Sequence, residues 1–186
     1  MTITNQDLQS HIDAQTYDKL YQDIEVLGFV GYTDAHLSWD RISKFDINWK
    51  GATVCDLGCF HAYFGIKSLR EGAAKVIGLE NSVTVIETAK LICQLSDAEI
   101  ELMQWSGGDE MPECDIALCL NMLHHCPDQE AVISKMHCDY AVFEINPDQV
   151  DMVKKYFKPI SDVASHRINS KDSLPRRVMH MKRRAL

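Results

Sequence analysis

At 186 residues and 46% hydrophobic content, the chain is long enough to bury one compact core. The opening MTITNQDLQS lacks a basic start followed by an apolar run, and no stretch approaches the ~18 apolar residues of a membrane span, which excludes a membrane-embedded reading and predicts a cytoplasmic setting. The net charge of −8 is uneven: residues 1–150 carry 24 acids against 9 Lys/Arg, and residues 151–186 carry 3 against 10, so the body repels polyanions and the C-terminal segment attracts them.

In chain order, Leu8, Ile12, Tyr17, Leu20, Tyr21, Ile24 and Leu27 recur at helical spacing within residues 5–27, before Gly28 and Gly31, predicting one or two helices. Trp39 to Phe45 reads as another helix. Five short apolar runs suited to buried strands follow, at 53–57, 75–79, 99–104, 115–120 and 139–145. Helical stretches near 62–71, 82–94 and 128–136 supply crossover connections for a parallel sheet. Residues 148–157 read as a further helix. Two β-like stretches near 159–168 and 176–183, separated by Asn169 to Ser173, predict a terminal antiparallel hairpin. The expected fold is therefore a three-layer α/β/α Rossmann-like domain with a mostly parallel seven-stranded sheet, residues 1–45 forming a helical cap and 46–186 the core. The seven cysteines lie in apolar segments without paired spacing and read as small core residues.

Two features carry the chemistry. Val54 to Phe64 puts a buried strand before a tight turn and a helix, where open α/β sheets bind ligands. Gly58 in that turn lets a ligand approach the main chain. Glu80 ends the next strand, 22 residues after Gly58, and suits the ribose hydroxyls of a nucleoside. A dinucleotide oxidoreductase wants G-x-G-x-x-G, but Phe60 and Tyr63 stand where the second and third glycines would fall.

VCDLGCFHAYFG, VIGLE and CDIALCLNMLHH together resemble the first, second and fourth motifs of class I S-adenosylmethionine-dependent methyltransferases, over about residues 45–145. From Trp39-Asp40-Arg41 to NMLHH the chain is distantly similar to the tRNA wobble-uridine carboxymethyl-transferring group. The resemblance implies S-adenosylmethionine as cofactor, with Asp56 and Gly58 near the methionine amino group and Cys59 and Phe60 in the same turn. It places Glu80 on the ribose with Asn81 and Ser82 beside it, Gln104, Trp105 and Ser106 near the adenine, and Asn121 and Met122 along the other side. The family's small residues are replaced by Phe60 and Ala62, which leaves open a degenerate, non-catalytic binding module.

The expected activity is methyl transfer to an oxygen or nitrogen of a small-molecule acceptor entering beneath residues 1–40, near His124 and His125. An imidazole there is a candidate proton acceptor, or else a cap on the fourth strand. Tyr17, Tyr21, Tyr32 and Trp39 are candidate acceptor contacts or packing residues of the cap. An alternative is an RNA-modifying enzyme guided by Lys154, Lys155, Lys158, Arg167, Arg176, Arg177, Lys182, Arg183 and Arg184. No metal is expected: His124, His125, Cys126, His137 and Cys138 lack zinc-ligand spacing. Asn121-Met122-Leu123-His124 is not the D/N-P-P-Y/F of nucleobase amino methylation, and Cys126-Pro127 reverses the Pro-Cys of a cysteine nucleophile.

Overall fold

The structure is a computed structural model that describes residues 3–16, 21–166 and 175–185. Tyr17, Leu20, Arg167 and the expected turn at 169–173 lie outside the described residues. Seven strands form one sheet: β1 Thr53–Leu57, β2 Lys75–Glu80, β3 Glu101–Gln104, β4 Cys114–Leu120, β5 Cys138–Ile145, β6 Phe157–His166 and β7 Pro175–Arg183. Their order is β3-β2-β1-β4-β5-β7-β6. The first five strands are parallel, while β7 runs antiparallel to β5 and to β6.

Burial on both faces explains why the central strands are apolar runs rather than alternating patterns. On one face Val54, Val76, Ile116, Leu118 and Val142 pack beneath α2 (Ala35–Ile42) and α3 (Tyr63–Arg70). On the other, Leu57, Leu79, Cys119 and Phe143 pack against Val132 and Ile133 of α5 (Gln129–Ser134) and Val153 of α6 (Val150–Tyr156). A third cluster joins Leu8 and Ile12 of α1 (Asn5–Asp13) to Ala89, Ile92 and Cys93 of α4 (Val83–Leu95). The layers are thus helix, sheet, helix, as the sequence predicts. No helix among the described residues is long and apolar enough to cross a membrane.

Two local expectations need correction. The second helix starts at Ala35 instead of Trp39, because that start puts Ala35, Trp39 and Ile42 on one buried stripe. The helical reading of residues 5–27 holds only for α1 among the described residues. Beyond it, Ile24 bridges Phe29 around a 3-10 turn at Glu25–Leu27. Polar side chains pin this segment: Asp23 accepts from the Gly31 and His36 amides at 2.8 and 2.9 Å. Its apolar residues are therefore spaced by tertiary contacts and not by a helical period.

Candidate functional site

A cavity of about 430 Å³ opens beyond the C-terminal ends of β1, β2 and β4. This is where strand order reverses, the crevice in which open α/β sheets take ligands. At its floor stands Asp56, next to last in β1, and the chain turns at Gly58 with φ +69°. The Gly58 and Cys59 amides donate to the Leu79 carbonyl at 2.7 and 3.0 Å, tying the turn to β2. A Cβ on Gly58 would stand 2.9 Å from the Met122 Cβ, so any larger residue displaces that wall.

Phe60 and Ala62 keep φ of +49° and +63°. The loop thus retains the left-handed backbone that glycines supply, at a conformational cost of roughly 1–2 kcal/mol per residue. Ring contacts compensate at Phe60, whose centroid lies 5.2 Å from Tyr21 and 4.2 Å from His61. Tyr21 in turn meets Tyr32 edge-on at 5.7 Å. Of the aromatics expected near an acceptor, Tyr21 lines the cavity, whereas Trp39 is buried against Trp49.

Asp56 is 1% exposed and its Oδ2 has no hydrogen-bond partner. Burial pushes its carboxyl up to about 7, the charge of Glu80 adds to the rise, and a hydrogen bond from the Gly65 amide opposes it. Glu80 is already organised by the main chain. Its Oε1 accepts from the Asn81 and Ser82 amides at 2.9 and 3.0 Å, and its Oε2 from the Phe60 amide at 3.3 Å. His61 is buried, which lowers its imidazole to about 3 and keeps it neutral.

The cavity gathers Asp56, Gly58, Phe60, Glu80, Asn81, Trp105, Ser106, Asn121, Met122 and His125 from the sequence-derived set. Cys59, Ser82, Gln104 and His124 are not on its wall. Cys59 turns inward against Gly78, where an added Cβ would meet its thiol at 2.9 Å. Ser82 caps α4 by accepting from the Val85 amide, and Gln104 donates to the Asn81 carbonyl at 3.2 Å. His124 and His125 share a 3-10 turn after β4 with ring centroids 4.0 Å apart, and of the two it is His125 that lines the cavity.

Sequence reasoning did not find Gln22 or Thr33, which line the same cavity from the N-terminal segment. The Gln22 Oε1 accepts from the His61 and Tyr63 amides at 3.0 and 3.4 Å, capping α3 from outside. Ala62, at the N-cap position, has no side chain able to do so. An uncapped helix start was the one signal in the sequence, and it does not say which distant residue answers it.

Among the described residues, much of the basic C-terminal segment is engaged within the fold. Arg176 is 2% exposed and its Nε donates to the Asn121 Oδ1 at 3.1 Å. Arg177 pairs with Asp162, and Lys155 with Glu130. Arg183 donates to the Ile133 and Ser134 carbonyls at the end of α5, and Arg184 to the Lys154 carbonyl.

A sequence profile described as a methyltransferase domain matches residues 48–185. The chain is 32% identical over 123 residues to a ubiquinone biosynthesis O-methyltransferase of Pseudomonas syringae pv. tomato, covering 55% of this chain and 53% of that protein. The chain thus spans about half the length of the curated relatives it matches. Among solved structures, Thermoplasma acidophilum 1320 superposes with a TM-score of 0.66 at 17% identity, over 97% of this chain and 98% of that one. The ribosomal protein L11 methylase of Lactobacillus delbrueckii subsp. bulgaricus gives 0.62 at 17% identity, over 81% and 79%. At such identities these two establish a shared fold.

Proposed function

The chain belongs to the methyltransferase-domain family, and on that premise we propose that it transfers a methyl group to an oxygen or nitrogen of a small, largely apolar acceptor. The methyl donor implied by family and fold is S-adenosylmethionine. Its sulfonium supplies an already activated methyl group, so the chain's own task is to bind, orient and exclude water.

The observation that carries this reading is the orphaned Asp56 Oδ2 in the cavity floor. A buried carboxyl oxygen without a hydrogen-bond partner is costly, and an ammonium such as that of the methionine moiety satisfies it. Glu80, held by three main-chain amides, is proposed to accept from ribose hydroxyls. Asn81 stands beside it, Trp105 and Ser106 lie on the adenine side, and Asn121 and Met122 close the opposite wall. The preserved left-handed turn at Phe60 and Ala62, with an open cavity above it, favours a working site over a degenerate module.

The acceptor side is formed by the aromatic walls of Tyr21, Phe60 and Phe64, with His125 as the candidate proton acceptor. Those walls, and relatives named as O-methyltransferases, support a small ring compound. The RNA reading is disfavoured because, among the described arginines it needs, Arg176 is buried, Arg177 pairs with Asp162, and Arg183 and Arg184 donate to main-chain carbonyls. A cytoplasmic setting fits seven free thiols, most of them buried.

Calorimetric titration with S-adenosylmethionine and S-adenosylhomocysteine tests the cofactor site. Micromolar binding to the wild type, lost in Gly58→Val and Glu80→Ala, is expected. A wild type that binds neither compound overturns the proposal.

A further inference from the structure

Asn121 directly follows β4 in a left-handed conformation, φ +57°, and its main-chain amide donates to the Glu144 carbonyl of β5 at 2.9 Å. Glu144 is itself 1% exposed, with its carboxylate accepting from Ser38 of α2 at 2.8 Å and Ser165 of β6 at 3.4 Å. Asn121 therefore sits on a buried polar frame that joins the cap, the parallel strands and the terminal hairpin. Arg176 of β7 completes it by donating from Nε to the Asn121 Oδ1.

A guanidinium has donors and no acceptor. Its contact fixes the orientation of the Asn121 amide: the oxygen faces Arg176, and the Nδ2 hydrogens are left for the cavity that Asn121 lines. The positive charge behind the amide polarises it and strengthens that donor, the more so because Arg176 is buried. Meanwhile the main-chain donors of the turn are engaged: Gln22 takes the His61 and Tyr63 amides, and Glu80 takes the Phe60 amide. Asp56 leaves an acceptor on one side of the cavity floor, and Asn121 presents a donor from the neighbouring strand.

We propose that Arg176 is a positioning residue that holds Asn121 as a hydrogen-bond donor for the carboxylate of the methionine moiety, while Asp56 takes its ammonium. This inference rests on the cofactor reading above and adds to it how the zwitterionic end is told from a neutral one.

The test compares two ligands, S-adenosylhomocysteine and 5′-methylthioadenosine, which shares the nucleoside and sulfur but lacks the amino-acid end. In Arg176→Gln, affinity for S-adenosylhomocysteine falls about tenfold, the scale of one charge-supported hydrogen bond, while affinity for 5′-methylthioadenosine is unchanged. Asn121→Ala gives the same pattern and carries the test if Arg176→Gln does not fold. If both variants fold, combining them adds little to either alone. Equal weakening of both ligands, or no change in either, by a variant with native-like thermal unfolding overturns the inference and leaves the cofactor reading standing. A wild type that binds neither ligand brings down the cofactor reading, and this inference with it.

Discussion

Asp56 holds its proton to a pH at which an ordinary aspartate has long been ionised. Desolvation in the cavity floor raises its carboxyl from 3.8 to about 7. Between those values the folded chain binds a proton that the unfolded chain has released, so stability of the ligand-free protein falls as pH rises through that window, with a slope approaching about 1.4 kcal/mol per unit. Thermal unfolding of Asp56→Asn from pH 4 to 7 is expected to lack this slope. Affinity for S-adenosylhomocysteine follows the opposite trend, rising toward pH about 7 and levelling off above it, because an ammonium favours the charged carboxylate. A flat calorimetric profile over that range counts against Asp56 as the ammonium partner. Asp56, Gly58, Glu80 and Asn121 were legible in the sequence because strand ends at the reversal of sheet order dictate where ligand-facing residues fall. Cys59 and Gln104, adjacent to such positions in the sequence, lie off the cavity wall: the first is drawn under the turn by the bare Gly78, and the second lies along the exposed side of β3.

Helix α3 begins without a capping side chain of its own and borrows one from Gln22. Gln22→Ala leaves the His61 and Tyr63 amides buried without that acceptor, and chemical denaturation should report a loss of about 1–2 kcal/mol. The same variant should loosen Tyr21 over Phe60 and weaken cofactor binding, whereas unchanged stability would show that water replaces the glutamine oxygen. The strands were readable to within a residue or two because apolar runs buried on both faces have few alternatives. The segment from 21 to 31 was not, since its shape comes from Asp23 and Gln22 reaching residues 8 to 41 positions away. No periodicity encodes contacts of that range.

At the scale of the molecule, part of the positive charge of the C-terminal segment is paired or turned inward among the described residues. Arg176 points inward, Arg183 and Arg184 serve main-chain carbonyls, and Arg177 and Lys155 face acids. Gel-shift titration with tRNA at ~0.15 M salt should therefore show no retention, because few phosphate contacts survive such screening; tight binding there would restore the RNA reading. Ligand binding should register globally as well. S-adenosylhomocysteine at a hundred times its Kd adds about 2.7 kcal/mol, which for a chain of this length corresponds to roughly 5–10 °C in the unfolding midpoint.

The place of β7 between β5 and β6 has a bearing on the chain's synthesis. Of the seven strands it is made last, yet it belongs inside the sheet, where Val178, Met179 and Met181 are fully buried. A nascent chain carrying β1 to β6 holds β5 with an unpaired apolar edge and β6 with no neighbour to join, the condition in which strands capture other strands. Emergence of residues 175–183 ends that exposure in one step, by filling the gap and bringing Arg176 behind Asn121.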